Sequence, residues 1–364
     1  MNVMNTKKLL GQFFDIVSPS GYEYMAKNRI QKIIDENFDG VFDEVSFDTF
    51  GGCHLVKKAG TQNPKKIMFD AHIDQIGLVI TEILDGGFLR VRALGGIDKN
   101  ILPASEFYVC TYQKDEPFIF SADKKIPAVA ISVPPHLKNL KKTNGNSLPA
   151  VEDLYLDAGY DSKQELEKIV RIGSPVIFKP QFSSLENDLV ACCGADDKVC
   201  AAALMLAAKS LKTTPEAEVH MILSAGEETG SPGAAAAAFK IQPEFAVVLD
   251  VDFSRDPGID ASVSIEMGKG PGVTYSAAAN MGLTKKIINL AKNKKIPVQP
   301  GANPVSTGTN ADIIQITGEG IPCALVSVPL KNMHTKSEIC SLRDIKKTAG
   351  LICEIIENAE ELMG

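Results

Sequence analysis

The sequence contains no tryptophan, and only 6% of its 364 residues are aromatic. It therefore offers no aromatic platform on which sugars could stack, and we do not expect carbohydrate hydrolysis. No apolar run approaches the about 18 residues that a membrane span requires. Met1–Lys8 has no basic start followed by an apolar stretch, so no secretory signal is predicted.

Cysteine pairs with metal-binding or redox spacing are also missing. Eight cysteines lie in apolar surroundings, and none of them belongs to a CxxC motif. This distribution favours buried, reduced thiols over disulfides or a thiolate zinc site. Because thiols stay reduced in the cytoplasm, we expect a cytoplasmic protein.

The charge balance limits the kinds of partner. A net charge of −7 and a pI near 5.4 argue against nucleic acid or an anionic membrane as the main partner. Hydrophobic residues make up 45% of the chain and charged residues 23%, which is typical of a globular protein. The length suits two domains better than one.

Predicted helices and strands divide the chain into three blocks. Residues 1–77 begin with a helical stripe and lead to a buried strand at Lys66–Phe69. Residues 78–184 contain short β-type runs separated by Gly, Pro and Asp, which predicts an inserted, barrel-like β domain. Helices and strands alternate again over residues 185–364. The predicted fold is α/β, with one domain that the insert interrupts.

A short motif near the N-terminus predicts the start of a helix. Ser20 and Glu23 form the S-x-x-E pattern of a capping box, in which each side chain satisfies a free backbone donor of the other residue. We therefore expect a helix from this point to Ile34.

Histidine and acidic residues recur just past the predicted strands. His72 follows a strand, and Asp74 lies on the same face two residues later, where it could orient the imidazole. Such a pair is more often structural. Asp196 and Asp197 stand before an Ala/Leu-rich helix, where a helix N-cap is the ordinary interpretation.

The adjacent acids Glu227 and Glu228 follow the apolar run Val219–Leu223. Neighbouring side chains at a strand end point apart, so one carboxylate could bind a metal while the other carries protons. A solvated acidic loop is the alternative. Asp250 and His334 each follow a further predicted strand, and a buried carboxylate without a partner would be costly.

These strand ends are expected to gather at one edge of the sheet, where α/β folds place their sites. Two histidines and three carboxylates suit a pair of zinc- or cobalt-like ions roughly 3.5–4 Å apart. Five acidic or histidine residues, each just past a predicted strand, are better explained by one shared site than by five independent coincidences. The predicted metal ligands are His72, Asp196, Glu228, Asp250 and His334.

Motifs along nearly the whole chain resemble those of the glutamyl, deblocking and tetrahedral aminopeptidases, two-metal enzymes often labelled cellulase M. They are PSGYE (Pro19–Glu23), HIDQIG (His72–Gly77), DDK (Asp196–Lys198), EETGSPGA (Glu227–Ala234), LDVD (Leu249–Asp252), GKGP (Gly268–Pro271) and VPLKNMHT (Val328–Thr335). Within the insert, Pro134–Leu137 and Arg171–Phe178 also resemble the family.

The resemblance implies a three-layer, mixed-sheet zinc-peptidase domain interrupted by the smaller β insert. It implies two divalent ions, zinc or cobalt, with manganese as a third candidate. The implied ligands are His72 and Asp250 for one ion, Glu228 and His334 for the other, and Asp196 for both. Glu227 would be the general base and Asp74 the orienting carboxylate.

The activity implied by the resemblance is hydrolysis of the N-terminal bond of peptides that have a free N-terminus. A water held between the two ions would attack the carbonyl, and Glu227 would move its proton to the leaving amine. The family also implies a homo-oligomer, up to a dodecamer, that assembles through the insert.

Two alternatives stay open at this point: a related two-metal deacylase or amidohydrolase, and a non-catalytic scaffold. Deacylases share the order of ligands, but their extra domain typically follows the fourth ligand. Here 124 positions (196 − 72) separate the first two ligands. This spacing favours the aminopeptidases, and retention of every ligand position and of Glu227 favours an enzyme.

Four positions depart from the family pattern. Gln75 stands where Glu is usual, Asn310 replaces Asp, Lys198 replaces Arg, and Cys200 replaces Gly. None is a predicted ligand or base. They therefore bear on the detailed properties of the site and of the substrate pocket, and not on whether the site is present. Arg255, shortly after LDVD, could bind an acidic substrate side chain or form a surface ion pair.

Overall fold

The computed structural model describes residues 3–112, 119–131 and 150–363. The motif Pro134–Leu137 therefore lies outside the described residues. Within these ranges the chain forms a large mixed sheet covered by helices and a separate closed β-barrel. No helix in them is long and apolar enough to cross a membrane.

The large sheet has 11 strands in the described part of the chain. They are β1 (Glu44–Phe47), β2 (Cys53–Lys57), β3 (Lys66–His72), β10 (Phe182–Ser184), β11 (Leu189–Cys192), β12 (Glu218–Ser224), β13 (Phe245–Phe253), β14 (Gly272–Ser276), β15 (Gln299–Asn303), β16 (Cys323–Lys331) and β17 (Glu338–Ser341). Their order is β1-β2-β12-β3-β13-β16-β17-β11-β10, and β14 pairs with β15 and β16. The central strands β12, β3, β13 and β16 are parallel, so their C-terminal ends meet at one edge.

Helices cover both faces of this sheet. The first face carries α1 (Val3–Phe14), α2 (Lys27–Asn37), α4 (Ala195–Ser210), α6 (Met281–Asn293) and α8 (Leu342–Glu357), with α9 (Ala359–Met363) beside them. The second face carries α5 (Pro232–Ile241) and α7 (Ala311–Ile314). Helix α4 is rich in alanine and is buried on every side from Ala195 to Ala208, as expected of a helix without a polar face.

Strand β13 shows how the sheet directs side chains toward the site. Val247 and Leu249 belong to the apolar core on the α4 side, whereas Val248 belongs to the core on the α5 side. Because side chains alternate along a strand, Asp250 and Asp252 face the α5 side near the end of β13.

The barrel lies between β3 and β10 in the chain. Its strands are β4 (Gly77–Ile83), β5 (Phe88–Leu94), β6 (Glu106–Tyr112), β7 (Phe120–Ala130), β8 (Tyr155–Asp157) and β9 (Pro175–Phe178), and α3 (Lys163–Leu166) lies between the last two. They close in the order β4-β5-β8-β7-β6-β9 around a core in which the Phe107 and Phe178 rings stack at 4.9 Å. The predicted α/β fold with a barrel is confirmed, while the domain boundaries at 77/78 and 184/185 stay a prediction.

The helix start predicted at Ser20 is wrong. A 3₁₀ turn, Glu23–Ala26, precedes α2, and no side chain caps it. Ser20 Oγ lies 2.8 Å from Thr229 Oγ1, and Glu23 Oε1 accepts a hydrogen bond from Gly226 N at 2.8 Å. Both side chains thus contact the turn after β12, and Glu23 Oε1 also accepts a local hydrogen bond from Gly21 N at 3.0 Å.

Candidate metal centre and active site

The edge formed by the parallel strands brings the predicted site residues together. His72 ends β3, Asp250 lies near the end of β13, Asp196 lies at the start of α4, Glu228 lies in the 3₁₀ turn Glu227–Thr229, and His334 follows β16. The pairing of Ser224 with His72 and of Asp250 with Ser327 sets these strand ends side by side.

Three of these side chains form what we term the inner group: His72, Asp196 and Asp250. Each offers one ligand atom, and the three atoms all lie within 4.8 Å of one another. All three residues are buried. His72 Nε2 lies 3.1 Å from Asp196 Oδ1, a separation that leaves both atoms available to one cation.

The outer group consists of Asp196, Glu228 and His334, whose ligand atoms meet the same 4.8 Å limit. His334 Nε2 lies 3.3 Å from Asp196 Oδ2 and 3.3 Å from Glu228 Oε1. Asp196 therefore directs one carboxylate oxygen to each group. The His334 side chain is 32% exposed, so the outer group borders solvent.

The donors of both groups fit divalent metal ions. Imidazole nitrogens and carboxylate oxygens suit zinc, cobalt and manganese. Burial, together with the charges of Asp197 and Asp196, raises the pKa of Asp250 well above its usual range. Ionised carboxylates at this density need a compensating cation, which an ion in each group would supply.

Glu227 belongs to neither group. Its Oε2 lies 4.0 Å from His72 Nε2, and its side chain is 14% exposed. Burial is the largest cause that raises the pKa of Glu227 to about 7. A carboxyl group that is close to the ligands and titrates near neutrality can accept and release protons there.

Asp74 ties the acidic turn to β3. It is fully buried, and its Oδ1 lies 3.3 Å from His72 Nδ1. The same carboxylate accepts hydrogen bonds from Glu227 N and Glu228 N, both at 3.1 Å. His72 Nδ1 also lies 3.1 Å from the backbone oxygen of Asp74, so this one residue positions an inner-group histidine and both glutamates of the turn.

Glu338 has a comparable role that the sequence reasoning missed. Its Oε2 accepts hydrogen bonds from Ala195 N at 2.7 Å and Asp196 N at 3.3 Å. Its Oε1 accepts one from His334 N at 2.8 Å. The only signal in the sequence was its position four residues after His334. The buried carboxylate holds the backbone of two predicted ligands.

The barrel contributes the loop after β5 to the outer group. Gly96 O accepts a hydrogen bond from His334 Nδ1 at 2.6 Å, which leaves Nε2 facing Asp196 and Glu228. Gly95 has φ +80°, and a Cβ added there would lie 2.8 Å from Glu228 Oε2. Only glycine fits so close to the outer group.

Two of the departures from the family pattern form a buried pair. Lys198 Nζ donates hydrogen bonds to Gln75 Oε1 and to Ile16 O, the latter at 2.7 Å. Burial lowers the pKa of Lys198 to about 8. An amide therefore accepts from the lysine at position 75, where the resemblance implied a carboxylate.

The other two departures lie behind the ligands. Asn310 Nδ2 donates a hydrogen bond to Asp70 Oδ2 at 2.7 Å. Cys200 Sγ lies 3.2 Å from the carbonyl oxygen of Asp250 and can donate to it. Both contacts support strands that carry predicted ligands, and neither side chain belongs to a ligand group.

Known proteins resemble this chain in sequence and in fold. A family model described as M42 glutamyl aminopeptidase matches residues 52–351. The lysyl aminopeptidase of Pyrococcus furiosus is 31% identical over 356 residues, which cover 98% of each chain. A solved TET aminopeptidase from the marine sediment archaeon Thaumarchaeota archaeon SCGC AB-539-E09 has a TM-score of 0.88 at 26% identity, covering 100% of this chain and 99% of that one. The TET1 peptidase of Pyrococcus horikoshii, which can assemble into a tetrahedron or a large octahedral shell, has a TM-score of 0.81 at 28% identity over 96% of this chain and 99% of that one.

Proposed function

The chain belongs to the M42 glutamyl aminopeptidase family, whose members hydrolyse peptide bonds, and we propose that it removes N-terminal residues with two divalent ions and Glu227 as general base. The observation that supports this most strongly is the position of Asp196. One of its oxygens faces the inner group and the other faces the outer group. A carboxylate shared in this way is what a pair of ions requires.

His72, Asp196 and Asp250 would hold one ion, and Asp196, Glu228 and His334 the other. Zinc or cobalt suits these donors, and manganese is a third candidate. When bound, the ions would polarise the scissile carbonyl and make water a stronger acid.

Glu227 carries out the proton transfers in this proposal. Its carboxylate takes a proton from the attacking water and delivers it to the leaving amine nitrogen. The hydrogen bond from Glu227 N to Asp74 positions this side chain beside the ligands without making it one of them. Asp74 also holds His72 through Nδ1, so that Nε2 faces the inner group.

Exchange of each glutamate for glutamine tests this division of roles. Glu227→Gln should retain the metal content of the unchanged protein and lose about 10³-fold or more in kcat. Glu228→Gln should instead lose the outer ion. An active Glu227→Gln enzyme would refute the general base, and metal loss in that variant would mean that Glu227 is a ligand.

The substrate class requires a separate assay. The metal-loaded protein should hydrolyse aminoacyl-anilides that have a free α-amine and leave their N-acyl counterparts intact. Preference for the N-acyl compounds would favour a related amidohydrolase. Lack of turnover on both sets, with both ions bound, would favour a non-catalytic scaffold.

We also propose a cytoplasmic homo-oligomer that assembles through the inserted domain at residues 78–184. The support is the likeness to the TET1 peptidase, which forms a tetrahedron or a shell. Light scattering of the purified protein tests this, because a dodecamer has twelve times the mass of one chain. A monomer at micromolar concentration would contradict it.

A further inference from the structure

Asp252 is a carboxylate on the site face to which the proposed reaction gives no role. It lies two residues past Asp250 on β13, and the alternation of the strand directs it to the same face. The ladder between β13 and β3 ends where Val248 pairs with Asp70. Asp252 therefore lies beyond the paired part of β3, at the open edge that holds the inner group.

The charge of Asp252 has no partner in the described part of the chain. Its Oδ1 accepts a hydrogen bond from Phe253 N at 2.7 Å, and no lysine, arginine or histidine there forms an ion pair with it. Arg255, the basic residue that follows β13, already has another partner. Arg255 Nη1 lies 2.9 Å from Glu266 Oε1. Two roles for Arg255 were compatible with the sequence: binding an acidic substrate side chain, or forming a surface ion pair. It forms the ion pair, so it is not free to bind an acidic substrate.

Asp252 is also only partly exposed. A half-buried carboxylate with no cation nearby gains more from a positively charged ligand than a fully solvated one does. Neighbouring same-face positions on a strand are about 6.6 Å apart, at roughly 3.3 Å per residue. A lysine side chain, with its four-carbon stem, spans a similar distance. A substrate whose scissile carbonyl lies near Asp250 could thus bring a basic first side chain to Asp252.

We propose that Asp252 is a specificity-determining residue that receives the ammonium or guanidinium group of a basic N-terminal residue, an inference that rests on the proposed aminopeptidase function. Asp252 Oδ2, which has no hydrogen-bond partner in the described residues, accepts from this cation. Acidic first residues are repelled by the same carboxylate. Uncharged ones bind without this contact.

Matched substrates separate charge from size. Lysyl- and norleucyl-anilide both have an unbranched side chain, but only lysine carries a charge. The zinc- or cobalt-loaded enzyme should show a kcat/KM for lysyl-anilide about tenfold or more above that for norleucyl-anilide, and glutamyl-anilide should be the poorest of the three. Asp252→Asn should bring the ratio of lysyl to norleucyl kcat/KM close to one.

The control variant is Glu244→Gln, which removes one exposed carboxylate just before the same strand, at the end away from the site. It should keep the wild-type ratio. Metal content and melting temperature of both variants show whether they fold and load normally. If Asp252→Asn does not fold, arginyl- and lysyl-anilide measured against norleucyl-anilide on the unchanged enzyme still test the preference.

Three results would overturn the inference. The unchanged enzyme could hydrolyse norleucyl-anilide as well as the lysyl substrate, in which case the aminopeptidase function stands and the specificity fails. Asp252→Asn could slow both substrates equally, which would assign the residue to the α-amine or to structure. Failure of the loaded enzyme on every aminoacyl-anilide would refute the proposed function itself, and the specificity with it.

Discussion

The inner and outer groups share Asp196 but are held in different ways. The other inner residues, His72 and Asp250, lie on neighbouring parallel strands and are buried. The other outer residues, Glu228 and His334, lie in turns, and His334 has φ +61°. His72 and Asp250 are thus held by regular strands, with Asp74 against His72, whereas Glu228 and His334 are held by hydrogen bonds from their backbone to Asp74 and Glu338 and by a barrel loop.

This difference predicts unequal metal binding. The inner group is preorganised by regular structure, so an ion there should bind tightly and exchange slowly. The outer group depends on His334, which lies in a turn, is partly exposed and is held by contacts with Glu338 and Gly96, so its ion should bind more weakly. Mutation of a residue that contacts one group should affect that group alone, whereas changes at Asp196, or at Asp74 and Glu338, which contact residues of both groups, should affect both.

The largest effect should come from Asp196→Asn, because this residue serves both groups. The amide offers one neutral oxygen in place of two charged ones. We expect loss of at least one ion and a fall in kcat/KM of about 10⁴-fold or more. Metal analysis and anilide hydrolysis measure both quantities. Two ions retained at wild-type affinity would refute the shared carboxylate.

His334→Ala should affect the outer group alone. The variant should keep the inner ion and lose about 10³-fold in kcat, since one of two ions remains. His220→Ala is the control, because His220 pairs with Glu218 at 2.9 Å and belongs to neither ligand group. Loss of both ions in His334→Ala would mean that the groups are one cooperative unit.

Glu338→Gln should weaken metal binding without removing a ligand. The amide keeps the size of the side chain but has one acceptor oxygen, so it can no longer accept both from Ala195 N and Asp196 N on one side and from His334 N on the other. Loss of such supporting contacts typically costs about 10–100-fold in metal affinity. Competition with a metal-binding dye measures the change, and an unchanged affinity would show that the clamp has no effect on the ligands.

The smallest effect should come from Gly96→Ala. A Cβ there would lie 3.1 Å from His334 Nδ1, so the imidazole must shift by a few tenths of an ångström. The outer ion should bind about threefold to tenfold more weakly, and the inner ion should be unaffected. Gly350→Ala is the matched control, because nothing lies within 4 Å of an added Cβ at that position. Equal losses in both variants would contradict the role of the barrel loop.

The two groups also differ in how far the sequence could predict them. Apolar runs with a polar residue at the end located His72 and Asp250, because parallel strands bring such ends together. Glu338 was missed because it binds backbone N–H groups, which have no residue signature. Ser20 and Glu23 matched a local capping pattern, but their partners in the turn after β12 lie about two hundred positions away.

The sequence pattern could not predict the contact between the barrel loop and His334 either. Gly95 and Gly96 follow β5, and the sequence contains many glycines in turns. Nothing in their neighbourhood shows that His334, 238 positions from Gly96, donates to this loop. Contacts between the barrel and the sheet depend on how both are packed, and a local pattern contains no information about that.

The central claim is that two unequal metal sites share Asp196, and metal titration of the metal-free protein by calorimetry tests it most directly. We predict two ions per chain in two steps, a tight step for the inner group and a weaker one for the outer group, with the weaker step absent in His334→Ala. A single ion per chain, or two steps that disappear together in that variant, would contradict the account.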